Sequence, residues 1–111
     1  MIHLLRDRAT PEQLDEMLDT LGLYIKLAVD VEQRILVGGG ELHADCEKVL
    51  LEEGSQQEKI WGASWIPLTQ TVLYESIINL RPRQDNRSMD ILDSAIQAQV
   101  ADITRQLLGD V

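Results

Sequence analysis

The chain is short of cysteine and has no long apolar stretch. Cys46 is the single cysteine among 111 residues, so no internal disulfide can form, which is typical of a reducing compartment. No apolar run approaches the roughly 18–20 residues that cross a bilayer, and charged side chains follow Met1 too soon for a secretory signal. We therefore expect a cytoplasmic protein with no membrane association.

Basic side chains are also scarce. The chain has 10 Lys and Arg against 19 Asp and Glu, and its net charge is −9. Nucleic-acid binding depends mainly on neutralising phosphates with basic side chains, so we expect no nucleic acid among the partners. The sequence contains no internal repeat and no low-complexity linker. Its length suits one domain over residues 1–111.

The sequence does contain a regular succession of helix and strand patterns. A capping box of Thr10 and Gln13 predicts a helix over 11–21. Ser94 and Gln97 predict a second capping box at the start of the last helix. Alternating or helical spacing of apolar residues predicts the remaining elements, which are strands at 24–31, 35–37, 60–66 and 72–80 and a helix from Leu42 to Glu53.

Two hairpins and three helices predict an α+β fold, in which a four-stranded, mainly antiparallel sheet carries its helices packed on one face. Residues 1–9 show no clear pattern beyond a short extended piece and are left outside this sheet. On such a sheet, Trp61 and Trp65 would lie on the open face and create a binding surface. The alternative is that both belong to the core, because a shift of one residue in register exchanges the two faces.

The segment Gly38–Cys46 concentrates reactive side chains. Its three consecutive glycines permit a phosphate-binding turn, but Glu41 follows them at once and would repel an anion, so a tight strand-to-helix turn is favoured. Donors for a metal are also present, on Glu41, His43, Asp45, Cys46 and Glu47, although zinc needs three or four convergent ligands. The alternative is a His43 that is exposed or hydrogen-bonded within the fold, beside a Cys46 buried as a small hydrophobe.

The segment Arg81–Ser88 concentrates positive charge. Three of the ten basic residues fall within seven positions, and the arginine fork suits carboxylate or phosphate. One interpretation is that two of these arginines brace an ordered loop by pairing with carboxylates. The pairs in question join Arg81 or Arg87 to Asp85, Asp90 or Glu41. The other interpretation is a subsite for a ligand or an acidic partner, whose candidate residues are Glu41, His43, Asp45, Trp61, Asn79, Arg81, Asn86, Arg87 and Ser88.

These motifs also carry a resemblance. The chain resembles a conserved family of small bacterial proteins whose domain has an unknown-function label. Within that family it is similar to a cyanobacterial member from Synechococcus associated with regulation of biofilm formation. The resemblance lies in the segments Gly39–Glu47, Leu51–Ser55, Gln57–Glu58, Trp61–Ala63, Ile78–Pro82 and Asn86–Met89. It implies an α+β roll and a non-enzymatic regulatory role, and it brings no catalytic residues with it.

Taken with the resemblance, the sequence favours a non-enzymatic regulatory or binding protein. It would recognise a protein partner or a small-molecule ligand through a pocket or an open sheet face, without a cofactor. The same sheet face, or a sheet edge, would permit a weak homodimer. The alternative is a small metal- or anion-dependent enzyme that uses Glu41, His43 and Asp45 together with Arg81 and Arg87.

Overall fold

The computed structural model describes the whole chain, residues 1–111, as a five-stranded sheet with three α-helices. In chain order the elements are β1 (His3–Leu5), α1 (Pro11–Leu18), β2 (Ile25–Asp30), β3 (Ile35–Gly38), α2 (His43–Glu52), β4 (Ile60–Ile66), β5 (Thr71–Leu73) and α3 (Ser94–Leu108). The predicted α+β class is confirmed, but the sheet has five strands instead of four. The additional strand is β1, whose three residues are too few to show an alternating pattern.

The strand order is β1-β3-β2-β4-β5, and every neighbouring pair is antiparallel. The central strand is β2, where Leu27 faces Gly38 on β3 and Ala63 on β4. The pairing of β5 with β4 reaches only as far as Leu73 opposite Ser64. The first half of β4 therefore has no strand beside it on that edge, and another part of the chain must satisfy its backbone.

Helices cover both faces of the sheet, so the predicted packing on one face is wrong. The apolar residues of α1 and α3 pack with Leu27 and Val29 on one side of β2. On the opposite side, Cys46 and Leu50 of α2 pack with Ala28. A central strand is buried on both sides, and its alternation of residues does not reveal that the second face is covered as well.

The two tryptophans of β4 belong to the core. Trp61 exposes 2% of its surface and Trp65 none, and both lie in the cluster that α1 and α3 cover. The predicted open sheet face is therefore wrong, and the interpretation of both tryptophans as core residues is confirmed. The helices that cover this face are α1 and α3, and the sequence did not show on which side of the sheet the apolar stripe of α3 packs.

Two helix starts show how well local patterns predict local structure. The capping box of α1 is confirmed, because the side chains of Thr10 and Gln13 each accept the backbone N–H of the other; this helix ends at Leu18, short of its predicted end. The cap of α3 differs from the predicted box, since the carboxylate of Asp93 accepts the N–H of Ala95 at 2.8 Å.

None of the helices combines the length and apolar character that a membrane span requires.

The strand predicted over 72–80 ends much earlier, at Leu73. The hydroxyl of Ser76 accepts the N–H of Ile78 at 3.3 Å and starts a 3₁₀ turn over Ile77–Asn79. Hydroxyl side chains compete in this way with the hydrogen bonds of regular elements. The chain consequently leaves the sheet at this point and folds beside the free edge of β4.

Candidate functional site

Residues 81–88 form a closed loop. Arg81 and Asn86 exchange both of their backbone hydrogen bonds, with N–O distances of 2.7 and 3.0 Å. Between them lies one 3₁₀ turn, Pro82–Gln84, after which Asp85 adopts the left-handed conformation at φ 56°. The loop predicted here is therefore ordered by its own backbone.

The side-chain amide of Asn86 fixes the loop from inside. Its Nδ2 donates to the carbonyl oxygens of Asn79 and Asp90, at 2.7 and 2.8 Å. Its Oδ1 accepts the N–H of Leu92 at 2.9 Å. Asn86 is buried, and both ends of its amide are used within the fold.

Asn79 ties the loop to the sheet. Its Oδ1 accepts the N–H of Gly62 at 2.7 Å, and its Nδ2 donates to the carbonyl oxygen of Gly62 at 2.9 Å. Nδ2 also lies 3.0 Å from the carbonyl oxygen of Tyr74. Asn79 is fully buried. Its amide thus supplies the hydrogen bonds that a further strand would have made to β4, where an unpaired backbone group would be costly.

Arg81 holds the loop in place through the contacts of its guanidinium group. Its Nε donates to the carbonyl oxygen of Ile78 at 2.9 Å, and its Nη1 donates to that of Gln57 at 2.8 Å. Its Nη2 lies 3.4 Å from Oε2 of Glu47, and its guanidinium lies 4.8 Å from the centre of the Trp61 ring. Burial lowers the pKa of Arg81, and the negative charge of Glu47 opposes that shift. The predicted bracing role is confirmed for Arg81, with Glu47 as its partner instead of the predicted carboxylates.

Arg83 and Arg87 differ from Arg81 in having no partner. Both are exposed, and neither takes part in an ion pair or donates a side-chain hydrogen bond. The ion pairs of the chain are His3–Glu16, Arg6–Glu53, Arg34–Asp102 and Arg81–Glu47. The pairing predicted for Arg87 is therefore wrong. Beside it, Ser88 accepts the N–H of Asp90 through its hydroxyl at 3.0 Å and shapes the end of the loop.

A shallow cleft of about 360 Å³ lies beside the loop. It is lined by Gln57, Arg81, Pro82, Arg83 and Gln84. Gln84 donates to the carbonyl oxygen of Glu58 at 3.1 Å, which holds the cleft wall against the segment before β4. A second cleft, of about 320 Å³, lies at the end of β1 and contains none of the predicted site residues.

The glycine turn before α2 has a structural role. Gly39 has φ 100°, and a Cβ at this position would lie 2.1 Å from a backbone oxygen. The backbone carbonyl oxygen of Glu41, an exposed residue, accepts a hydrogen bond from the ammonium group of Lys26 at 2.9 Å. The carboxylate of Asp45 accepts the N–H of Leu42 at 3.2 Å and so caps α2. The predicted tight turn from strand to helix is confirmed.

His43 is hydrogen-bonded across to the sheet. Its Nε2 lies 2.8 Å from the carbonyl oxygen of Ala63, and because a carbonyl can only accept, Nε2 carries the proton. Burial lowers the pKa of His43, the Ala63 hydrogen bond acts in the opposite direction, and Lys26 lowers the pKa further. The interpretation of His43 as a residue hydrogen-bonded within the fold is confirmed.

Cys46 is a buried thiol. It belongs to the apolar cluster between α2 and the sheet, and its Sγ lies 3.6 Å from the carbonyl oxygen of Lys26. Burial raises its pKa to about 11, so the thiol carries its proton at neutral pH and is a poor nucleophile. The interpretation of Cys46 as a small hydrophobe is confirmed.

The two predicted segments make no direct polar contact with each other. No hydrogen bond or ion pair joins Gly38–Cys46 to Arg81–Ser88, and the link between α2 and the loop is Glu47, one residue beyond the first segment. No group of three or more His, Cys, Asp or Glu side chains converges to hold a metal ion. No direct polar contact therefore joins the side chains that the enzyme hypothesis requires across the two segments.

Sequence reasoning missed two residues that shape the loop. Glu47 was noted only as a possible metal ligand, although its spacing of four from His43 places both side chains on the same side of α2. Gly62 received no role, although a glycine inside a strand often marks a close approach of another part of the chain. Its added Cβ would lie 2.5 Å from the side chain of Ser76.

The fold and the loop define a small α+β protein with an ordered arginine loop at a sheet edge. A family model described as "Protein of unknown function (DUF5674)" matches residues 3–107. The chain therefore belongs to this family, and the expected membership of a family with an unknown-function domain is confirmed. No curated protein and no solved structure matches the chain.

Proposed function

We propose that the chain is a non-enzymatic binding protein that recognises a protein partner through the loop 81–88. One observation carries this proposal. Arg83 and Arg87 are exposed and unpaired, although buried side chains hold the loop that presents them. Binding residues are commonly found on loops that a rigid scaffold positions.

The ordered backbone of the loop supports this role because it limits the entropy lost on binding. The Arg81–Asn86 bridge and the buried amides of Asn79 and Asn86 already fix the main chain. Association then has to order mainly the exposed arginine side chains, at about 0.5–1.5 kcal/mol for each long side chain. Hydrogen bonds to charged groups contribute about 1.5–3 kcal/mol, which offsets this ordering cost of the side chains.

The charge of the chain supports the same role. Acidic residues outnumber basic ones by 19 to 10, yet neither Arg83 nor Arg87 pairs with a carboxylate of its own chain. Both guanidinium groups are therefore free to make the paired, charge-assisted hydrogen bonds that arginine forms with carboxylates. A partner with exposed carboxylates is the complement of this loop.

We place this recognition in a regulatory context. The resemblance to a cyanobacterial protein supports a link to regulation of biofilm formation. In this proposal the chain acts in the cytoplasm as one domain over residues 1–111. It works by complementarity, without turnover and without a cofactor.

The test is site-specific photocrosslinking in the source organism. A benzophenone amino acid replaces Gln84 in the loop, and in a matched control it replaces Gln99, which is exposed on α3. We expect a discrete covalent adduct from position 84, none from position 99, and loss of the adduct when Arg87→Gln is added. No adduct from position 84, or equal labelling from both positions, would contradict the proposal.

A further inference from the structure

We infer that the partner presents an acidic peptide segment with interspersed apolar side chains. It would bind to a surface that consists of Ile77, Leu80, Arg83, Arg87 and Met89, called here the loop surface. This inference rests on the proposed function and specifies the partner. The loop surface combines unpaired cations with exposed apolar side chains, and a ligand must satisfy both.

The apolar part of the loop surface is unusually exposed. Ile77, Leu80 and Met89 expose 61, 47 and 42% of their surface, and none of them belongs to a buried cluster. The carbonyl oxygen of Met89 accepts the N–H of Ser76 at 2.9 Å, which holds Met89 beside the turn that carries the other two. Single exposed apolar residues are normal, whereas three grouped in residues 77–89 form a patch typical of an interaction site.

The backbone register brings apolar and charged side chains together. The N–H of Leu80 donates to the carbonyl oxygen of Ile77 at 3.2 Å, and residues three apart on a 3₁₀ turn align on one side. The antiparallel bridge between Arg81 and Asn86 joins the two sides of the loop. The chain neighbours of these residues, Leu80 and Arg87, are an exposed apolar residue and an exposed cation, and the bridge holds them close together at the base of the loop.

Charge selects the kind of partner. Residues 76–89 contain three arginines and one carboxylate, Asp85, so this stretch carries a net charge of +2 in a chain whose total is −9. A nucleic acid would meet the acidic remainder of the surface, and two unpaired arginines neutralise too few phosphates for stable binding. A small inorganic anion would leave the apolar side chains in water. An acidic, apolar peptide satisfies both kinds of group, and arginine and methionine are enriched in such interfaces.

The test is selection of binders from a phage library of random 12-residue peptides on the immobilised full chain at 50 mM NaCl. We expect the enriched peptides to combine Asp or Glu with large apolar residues. A synthetic copy of the most enriched peptide should bind at least about tenfold more weakly to Arg87→Gln and to Leu80→Ser in fluorescence anisotropy. Raising NaCl to 500 mM should also weaken binding, because salt screens exposed charge pairs.

The matched control is Arg34→Gln. Arg34 is also partly exposed but pairs with Asp102 outside the loop surface, so peptide affinity should stay within about twofold of the unaltered chain. Circular dichroism melts of every variant, compared with the unaltered chain, distinguish a loss of binding from a loss of folding. A competition with 1 mM inorganic phosphate should leave the bound peptide in place, since phosphate cannot cover the apolar patch.

Several results would overturn the inference. They are enrichment of neutral or basic peptides, no enrichment at all, unchanged affinity of Arg87→Gln, and displacement of the peptide by phosphate. Self-association in sedimentation that Arg87→Gln abolishes would assign the surface to a second copy of the chain. If position 84 still gives its crosslink while the selection fails, the inference is wrong and the proposed function stands; loss of the crosslink removes both.

Discussion

Asn79 pairs with Gly62 as a strand residue would, but through its side chain. The amide accepts the N–H of Gly62 and donates to its carbonyl oxygen, at 2.7 and 2.9 Å. Because β5 ends at Leu73, this contact satisfies β4 where no strand accompanies it. The chain is thereby free to leave the sheet and to present the loop 81–88 at its edge.

Replacing Asn79 by Ala should therefore cause a large loss of stability. The variant leaves the buried N–H and carbonyl of Gly62 without partners, and each such group costs about 1–3 kcal/mol. We expect the free energy of unfolding to fall by about 3 kcal/mol or more, measured by urea titration with tryptophan fluorescence. Asn79→Asp keeps the acceptor but loses the donor, and it should not restore stability. A loss below about 1 kcal/mol for Asn79→Ala would contradict the assigned role.

The contact of Gly62 with Ser76 gives a second prediction. A Cβ on Gly62 would lie 2.5 Å from the Ser76 side chain, so Gly62→Ala should destabilise the chain by about 1–3 kcal/mol through overpacking. In the background of Ser76→Gly, which removes the nearer of the two obstructing side chains and leaves Ile78 at 2.9 Å, the same substitution should cost less. A double-mutant cycle measures this coupling. Strict additivity of the two substitutions would show that the residues are not in close contact.

Most of the helices and strands could be predicted because their apolar residues follow local periods. The spacing of Leu14 and Met17 identifies α1, and the alternation of Ile25, Leu27 and Val29 identifies β2. The residues that hold the loop 81–88 in place could not be predicted in this way. Asn79 and its partner Gly62 are 17 residues apart, and no local period connects a side-chain amide to a distant backbone. The covered second face of the sheet is missed for a related reason, since its cover comes from another element.

The sequence predicted which residue types form the candidate site, but it did not predict how they are arranged in space. Arg81 and Arg87 are the same residue type in one short segment, yet Arg81 is held by Glu47 and Trp61 while Arg87 is free. Which arginine is buried depends on where α2 and β4 pass, and that is a property of the fold. The charge cluster itself could be recognised from the sequence because it stands out in an acidic chain.

His43 should make stability depend on pH. Burial lowers its pKa below the ordinary 6.5, so below pH 6.5 the unfolded chain binds a proton that the folded chain does not. Stability from this group is complete above pH 6.5 and is lost as pH falls toward the folded pKa. His43→Gln can keep a donor to Ala63 without titrating, and it should flatten this part of the profile in urea unfolding at pH 7.5, 6.5 and 5.5.

The matched control for this profile is Gln99→Ala on the exposed side of α3, which removes no titrating group and should keep the slope between pH 7.5 and 5.5. An unchanged slope in His43→Gln would show that the ring does not titrate as described. Lys26 is the positive charge that lowers the pKa of His43 further. Lys26→Met should therefore raise the folded pKa of His43 and make the loss of stability between pH 7.5 and 5.5 smaller.

Cys46 should be unreactive in the folded chain. With a pKa of about 11, the Cys46 side chain is ionised in about one molecule in a thousand at pH 8. The ionised thiolate is the form that reacts. We expect labelling by Ellman's reagent to be slower by at least two orders of magnitude in buffer than in 8 M urea. Rapid stoichiometric labelling of a chain with an intact circular dichroism spectrum would contradict the burial of this thiol.

Arg81 holds the loop, whereas in the proposed function Arg87 contacts the partner. Arg81→Gln loses three polar contacts and the stacking on Trp61, so we expect it to lower the melting temperature by several degrees. Arg87→Gln removes no internal contact and should leave the melting temperature unchanged within about one degree, since exposed substitutions of this kind have small effects. Equal destabilisation by both variants would assign the two arginines the same structural role.

The most direct test is the crosslinking yield from position 84 in Arg87→Gln, measured on cells whose purified variant melts at the temperature of the unaltered chain. We expect the adduct to be lost while the melting temperature is kept. An adduct of full yield, or one lost only together with the fold, would contradict recognition through Arg87.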